Sequence, residues 1–256
     1  MVTKYPIYIL SKGRPNRCLT AKCLRDDNVP FYLCVEPQEA KEYAVTFGDK
    51  NLLILPFSNT GSAVAVRNWI KNHATQAGHK RHWQMDDDIK RFYAFSDGSR
   101  KPCTPSYALP FCEEFVDRYS NVAIAGLKTH LYGSTVSHPF TTNTTAFTCV
   151  LVLNELPYSW RGIHGHDTDF SLQALMDGWC TILFCAFQFE WASVTAGGNE
   201  KTYEGDGYLY RVRELQQRWG KRIVKIKRQN GRPAVNLNYI RSKFTQRLIK
   251  VSSDEN

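Results

Sequence analysis

Three carboxylates in a row, Asp86-Asp87-Asp88, follow directly on a run that reads as a β-strand, and no other feature constrains the chain as much. Asp is disfavoured in strands. Three adjacent negative charges also need a cation or hydrogen-bond donors to offset them. Ahead of them, short β-rich runs alternate with longer amphipathic ones. Strand YPIYIL (5–10) precedes a helical stretch opened by Arg14-Pro15 and ending near Asp26-Asp27-Asn28. Strand FYLCV (31–35) is followed by a helix from Gln38 to Thr46, stopped by Gly48. Strand NLLIL (51–55), a loop with Gly61-Ser62 and a helix across Val64 to Ala74 lead to strand HWQMDDD (82–88). This alternation predicts an α/β fold with a Rossmann-like, mostly parallel sheet flanked by helices. Such sheets bind ligands at the carboxyl ends of their strands, where Ser11, Glu36 and the three aspartates fall.

The second half reads as a helix over Ala108 to Tyr119, a strand at 121–126, a polar loop at 128–143 and a β run at 145–153. A helix then follows His166-Asp167-Thr168-Asp169, and a β segment covers 179–191. No repeat or low-complexity linker interrupts the chain, so one domain is expected over 1–200, with an extension over 201–256 packed on or flanking it. At 43% hydrophobic and 13% aromatic residues, the composition supports a sizeable core. No leader-like N-terminus is present, and no apolar run approaches the roughly 18 residues of a membrane span. The eight cysteines form no CxxC pair, which argues for reduced thiols and against a zinc site. These features predict a cytoplasmic protein with no membrane partner (host cytoplasm if the chain is viral).

Charge is segregated. Residues 1–200 carry 19 Lys+Arg against 19 Asp+Glu, whereas 201–256 carry 14 against 5, so the formal +9 resides entirely in the tail. Lys221, Arg222, Lys225, Lys227 and Arg228 are its densest group. Such a patch suits a polyanion, although a solvated helix face would look the same.

Several chemistries lack their anchors. There is no GxGxxG, GxxxxGK[ST], GxSxG or HExxH, which removes the signatures of a dinucleotide site, a P-loop, a serine hydrolase and a zincin. In extended geometry Asp86 and Asp88 share a face while Asp87 points away. Two oxygen ligands on one face suit Mg²⁺ or Mn²⁺, with water and phosphate completing the shell, although a solvated acidic turn would show the same letters. Arg14 and Arg67 offer planar forks for phosphate or base, or for ordinary ion pairs. Asp167 is placed either to remove a proton from a hydroxyl or to cap the helix that follows it.

The strand ending YILSKGRP, the second strand ending VEP, the helix with Arg67-Asn68, the DDD strand and the later Gly-Ile-His-Gly-His-Asp-Thr-Asp segment resemble GT-A fold glycosyltransferases. The nearest likeness is to the TET-associated and bacteriophage DNA glycosyltransferases. The resemblance covers most of the chain and implies an inverting, metal-dependent transfer from a UDP-sugar. It places the donor at Ser11, Arg14, Glu36, Arg67, Asp86 and Asp87, and Mn²⁺ or Mg²⁺ at Asp86 and Asp88. Asp167 becomes the base, and Asp169 orients the acceptor or the helix. The implied acceptor is duplex DNA with hydroxymethylated pyrimidines, held through Lys221, Arg222, Lys225, Lys227 and Arg228. The family often takes a third metal ligand from a histidine beyond the base. Here the last histidine is His166, which leaves diphosphate or a residue such as Asn199 for that position. Trp160 and Tyr203 are candidate acceptor contacts. The alternatives are a different acceptor, a sugar nucleotidyltransferase and a non-catalytic DNA-binding module; a nucleotidyltransferase would want more than the single glycine of Ser11-Lys12-Gly13-Arg14-Pro15.

Overall fold

The computed structural model describes residues 2–58, 63–96, 98–130, 138–192, 207–229 and 231–252. The expected loop residues Gly61 and Ser62, the Gly-rich segment with Asn199, and Tyr203 lie outside them. The first part follows the predicted alternation: β1 (Ile7–Leu10), α1 (Leu19–Asp26), β2 (Tyr32–Val35), α2 (Ala40–Phe47), β3 (Leu52–Ile54), α3 (Val64–Gln76) and β4 (Arg81–Asp86). These strands pair in parallel in the order β3-β2-β1-β4. Both faces of β1 are buried, as a parallel strand between helical layers requires. Ile7 and Ile9 join the cluster of α1 and α2, whereas Tyr8 packs with Val66, Ile70 and Ala74 of α3.

The chain continues through β5 (Ile89–Ser96), β6 (Ser99–Cys103), α4 (Pro105–Asp117), β7 (Val122–Thr129), β8 (Phe140–Thr142), β9 (Cys149–Leu153), α5 (His166–Met176) and β10 (Cys180–Trp191). Here the sheet becomes mixed. β9 inserts antiparallel between β4 and β7, and β10 runs parallel to β7 and antiparallel to β5. The result is a ten-stranded sheet. Helices α1, α2 and α4 cover one face, and α3 and α5 cover the other.

Several predicted boundaries move: the helix expected over 108–119 spans Pro105–Asp117, β8 forms inside the loop expected at 128–143, and two further shifts have a local reason. The helix expected from Arg14 begins only at Leu19, because Arg14 is drawn to Asp87 and Gly13 turns the chain at φ 66°. The β run expected from residue 145 starts at Cys149, because Thr148 adopts φ 67°, a left-handed conformation that is rare and strained for a β-branched residue.

The extension is folded as well. It comprises α6 (Gly207–Trp219), the hairpin of β11 (Ile226–Gln229) and β12 (Arg232–Val235), and α7 (Leu237–Arg241). Leu215, Val224 and Ile240 bury against Leu172 of α5. Among the described residues no helix is long and apolar enough to cross a membrane, and all eight cysteines are free thiols.

Gly126 of β7 permits a close approach of the neighbouring backbone of β9. A Cβ there would lie 2.7 Å from the Ala146 Cβ and 2.8 Å from the Cys149 carbonyl oxygen. Gly126→Ala is therefore expected to destabilise the fold by about 1–3 kcal/mol through overpacking, read from urea unfolding midpoints.

Candidate functional site

β4 ends at Asp86, and Asp87-Asp88 form a turn into β5. The extended geometry that was to put Asp86 and Asp88 on one face therefore stops one residue into the triplet, and the three carboxylates meet three different environments.

Asp87 is buried and faces the loop after β1. Its oxygens accept from Arg14 Nη1 at 2.6 Å and Ser11 Oγ at 2.7 Å, and Tyr43 Oη lies 2.6 Å from that same hydroxyl. The Asp87 carbonyl also accepts the Leu19 N–H at 2.8 Å at the start of α1. Ser11, Arg14 and Asp87, expected as donor contacts, thus lock the first loop to the end of β4. Glu36 is equally buried and accepts from Lys12 Nζ at 2.9 Å and from Gln38.

Asp86 opens toward the crevice with 37% of its side chain exposed, and Arg67 Nη2 of α3 donates to it at 2.7 Å. Its backbone N–H donates to the strained Thr148 carbonyl at 2.9 Å. Desolvation and the neighbouring Asp167 and Asp87 push its carboxyl up, against the pull of Arg67. Asp88 differs again, for its Oδ1 is buried with no hydrogen-bond partner. Burial first, then Asp86 and Asp87, push the Asp88 carboxyl up to about 7. A buried carboxylate oxygen left without a donor is the site a hard cation would satisfy. Among the described residues no cluster of three His, Cys, Asp or Glu side chains can hold a metal, so phosphate and water would have to supply much of the shell.

The second carboxylate segment folds as the first turn of α5. Gly165 caps it at φ 64°, and Asp167 and Asp169 sit where the helix dipole favours negative charge. Asp167 Oδ1 accepts from Trp160 Nε1 at 3.1 Å and lies 3.5 Å from Arg67 Nε. One guanidinium therefore bridges the aspartates of β4 and α5. Burial alone would raise the Asp167 carboxyl, but Arg67, His166, the Trp160 N–H and Arg211 outweigh it and hold the carboxyl low. Asp167 is thus ionised and able to accept a proton. Trp160 is not an exposed acceptor contact. It is buried, stacks on Phe170 with centroids 3.8 Å apart, and its free edge orients Asp167.

Asp169 is fully buried. It takes Arg161 Nε at 2.8 Å, Trp219 Nε1 at 2.8 Å, Gln173 Nε2 at 3.0 Å and Arg218 Nη1 at 3.3 Å. These donors come from the loop before α5, from α5 itself and from α6, so Asp169 clamps α6 onto α5. Glu214 adds a second clamp by accepting the Ile163 and His164 N–H groups at 3.3 and 3.2 Å. Gly162 sits at φ 84°, the left-handed region that favours glycine, and a Cβ there would displace the Glu214 carboxylate. These clamps lay the Arg211 stem against Gly165 and bring its charge within electrostatic reach of Asp167. Sequence reasoning missed Arg211, because nothing in a basic tail marks which arginine returns to the crevice. Lys221, Arg222, Lys225, Lys227 and Arg228 are exposed on the turn after α6 and on β11. Lys225 lies 4.2 Å above the Tyr239 ring.

Charged groups gathered at the carboxyl ends of parallel strands, with one cationic bridge between two carboxylates, are the layout of an α/β enzyme. The chain belongs to the TET-Associated Glycosyltransferase family, whose model matches residues 5–199; it is a glycosyltransferase. Among solved structures it is similar to an inositol-1-phosphate CTP transferase from T. maritima at 12% identity, covering 78% of this chain and 93% of that one, with a TM-score of 0.39. It is also similar to a protein described as mannose-1-phosphate geranyltransferase from Thermus thermophilus, at 13% identity over 98% of this chain and 69% of that one, with a TM-score of 0.33. No curated protein matches it.

Asp87→Ala removes the buried carboxylate that pairs with Arg14 at 2.6 Å. It is expected to cost about 3–5 kcal/mol, the usual penalty for removing one partner of a buried ion pair, and to lower the thermal midpoint accordingly. Asp88, with its carboxyl near 7, has the opposite sign to a salt-bridged carboxylate. Its folded-state value lies above the unfolded one, so its ionisation weakens the metal-free fold as pH rises toward 7. A bound cation reverses this. If Mn²⁺ binds at Asp88, its thermal stabilisation should be larger at pH 8 than at pH 6, with a proton released on binding at pH 6.

Proposed function

We propose that the protein transfers a sugar from a nucleoside diphosphate sugar, most simply a UDP-sugar, to the hydroxyl of a hydroxymethylated pyrimidine in duplex DNA. The observation that carries this reading is the Arg67 bridge, which sets an ionised Asp167 beside Asp86 and, two residues on, the unpartnered Asp88 oxygen. Asp86 and Asp88 would hold Mn²⁺ or Mg²⁺, which supplies charge to offset the departing diphosphate. Ser11, Arg14 and Glu36 wall the donor side at the ends of β1 and β2, and Arg67 serves the donor site from behind by holding Asp86. Asp167 takes the proton of the acceptor hydroxyl as its oxygen bonds to the anomeric carbon. The bond from that carbon to the diphosphate breaks in the same displacement, and the configuration inverts.

The acceptor side rests on residues 201–256, which we propose as an acceptor-binding extension of the 1–200 catalytic body. The α6 clamp supports this. It carries Arg211 to Asp167 and sets the exposed Lys221, Arg222, Lys225, Lys227 and Arg228 on the same packed unit. Contacts of this kind go to phosphates and read no bases, so affinity for duplex DNA should fall linearly on a log–log plot against salt. A 5-hydroxymethyl group already projects into the major groove, within reach of a protein on that backbone.

Incubation with UDP-sugars, Mn²⁺ and duplex DNA containing hydroxymethylcytosine or hydroxymethyluracil should give hexose or pentose adducts in digested nucleosides by mass spectrometry, and none on unmodified DNA. Donor hydrolysis without any adduct would keep the glycosyltransferase and remove the DNA acceptor. Asp88→Ala should abolish transfer together with Mn²⁺ binding. Asp167→Asn should keep donor binding while turnover falls by at least ~10²-fold, the range for a lost general base. Normal turnover in Asp167→Asn would remove it from that role.

A further inference from the structure

Alternate residues of β4 line one face of a central strand that is buried from Arg81 to Met85. The face toward the α1 and α2 layer is apolar, with Trp83 and Met85 in the main core. The face toward α3 carries His82, Gln84 and Asp86, and both His82 and Gln84 are completely buried. Val or Ile would normally occupy such positions, and burying polar side chains is unfavourable unless every donor and acceptor is matched. Here they are matched in a column. Gln84 Nε2 donates to the Arg67 carbonyl at 3.0 Å and to His82 Nε2 at 2.9 Å. His82 Nδ1 donates to Asn154 Oδ1, and Asn154 Nδ2 donates to the His79 carbonyl at 2.6 Å beyond the C-terminus of α3. This wiring admits one orientation, for an acceptor at His82 Nε2 forces the proton onto Nδ1. It also leaves Gln84 Oε1 aimed at Arg67 Nη1, 3.3 Å away.

The guanidinium of Arg67 is thereby divided. Nη1 meets Gln84, Nη2 meets one oxygen of Asp86, and Nε faces Asp167. An arginine beside a carboxylate otherwise tends to close on both oxygens with a parallel pair of N–H groups. That would occupy the second Asp86 oxygen and turn the guanidinium away from Asp167. We infer that Gln84, backed by His82 and Asn154, is a positioning residue that keeps Arg67 one-pronged on Asp86, so that this carboxylate stays available to a divalent cation and Asp167 stays oriented for the transfer. Burial keeps the His82 imidazole neutral, with its pKa down to about 3, so the column holds its orientation across the working pH range.

The inference rests on the reading of Asp86 and Asp88 as the cation site, and the test separates the two. Mn²⁺ alone is titrated into the full chain, with kcat measured separately at saturating Mn²⁺. Gln84→Met keeps the side-chain volume but removes the acceptor. It is expected to weaken Mn²⁺ binding about 10-fold or more, as loss of an outer-sphere partner does, and to lower kcat while thermal unfolding remains cooperative. Gln84→Glu restores an acceptor for Nη1 and should recover part of both quantities, which a purely structural role would not predict. His82→Phe keeps the Gln84–Arg67 contact and should weaken Mn²⁺ binding less than Gln84→Met; this comparison stands in if Gln84→Met does not fold. Wild-type Mn²⁺ affinity and kcat in folded Gln84→Met, or no recovery in Gln84→Glu, would overturn the inference. If Asp88→Ala still binds Mn²⁺ like the wild type, the cation-site reading falls and takes this inference with it. If Asp88→Ala loses Mn²⁺ and Gln84→Met does not, the inference alone falls.

Discussion

The buried guanidinium of Arg67 holds the functional end of this molecule together. It is 2% exposed, and a cation so enclosed is tolerable only when its donors meet negative or polar partners. Those partners come from both halves of the sheet: Asp86 and Gln84 from β4, and Asp167 from the first turn of α5. The parallel half that would bind a nucleotide and the mixed half that would present a base are therefore joined by charge as well as by the β4–β9 ladder. A neutral substitute for Arg67 would leave two carboxylates facing each other across the crevice.

Around that bridge the acidic triplet divides its labour. Asp87 is paired with Arg14 and Ser11 and ties the first loop to the end of β4. Asp86 is half committed, and Asp88 is left with a buried unpartnered oxygen. Three chemically identical side chains differ because the strand ends at Asp86 and each then meets different neighbours. The strain at Thr148 belongs to the same construction, since its carbonyl accepts the Asp86 N–H from a conformation that a β-branched residue adopts at a cost.

The extension shows how a charged tail is anchored to the body of the fold. Its hydrophobic contact with α5 is small: Leu215, Val224 and Ile240 against Leu172. Orientation comes instead from Asp169, which takes donors from Arg218 and Trp219, and from Glu214, which takes two loop N–H groups. These polar clamps are directional, so they fix the rotation of α6 as well as its proximity. That rotation brings Arg211 to the crevice.

The order β1-α1-β2-α2-β3-α3-β4 was legible from the sequence, because its strands are short apolar runs and its helices have apolar residues at three- and four-residue spacing. The strand-end position of the DDD triplet was legible too, because charge in a strand is conspicuous. The alternation of His82, Gln84 and Asp86 is equally plain in the letters, but it gains meaning only once β4 is known to be central and buried on both faces. Tertiary structure alone decided the rest. Strand pairing across the mixed half depends on contacts distant in sequence, so the antiparallel insertion of β9 between β4 and β7 has no local signature. The assignments of Asp87 to scaffold, Asp169 to the α6 clamp and Trp160 to Asp167 depend on which donor lies within hydrogen-bond reach. The chain determined by itself where its charges stand along the backbone; only the fold determined which of them are neutralised by a neighbour and which remain open to a ligand.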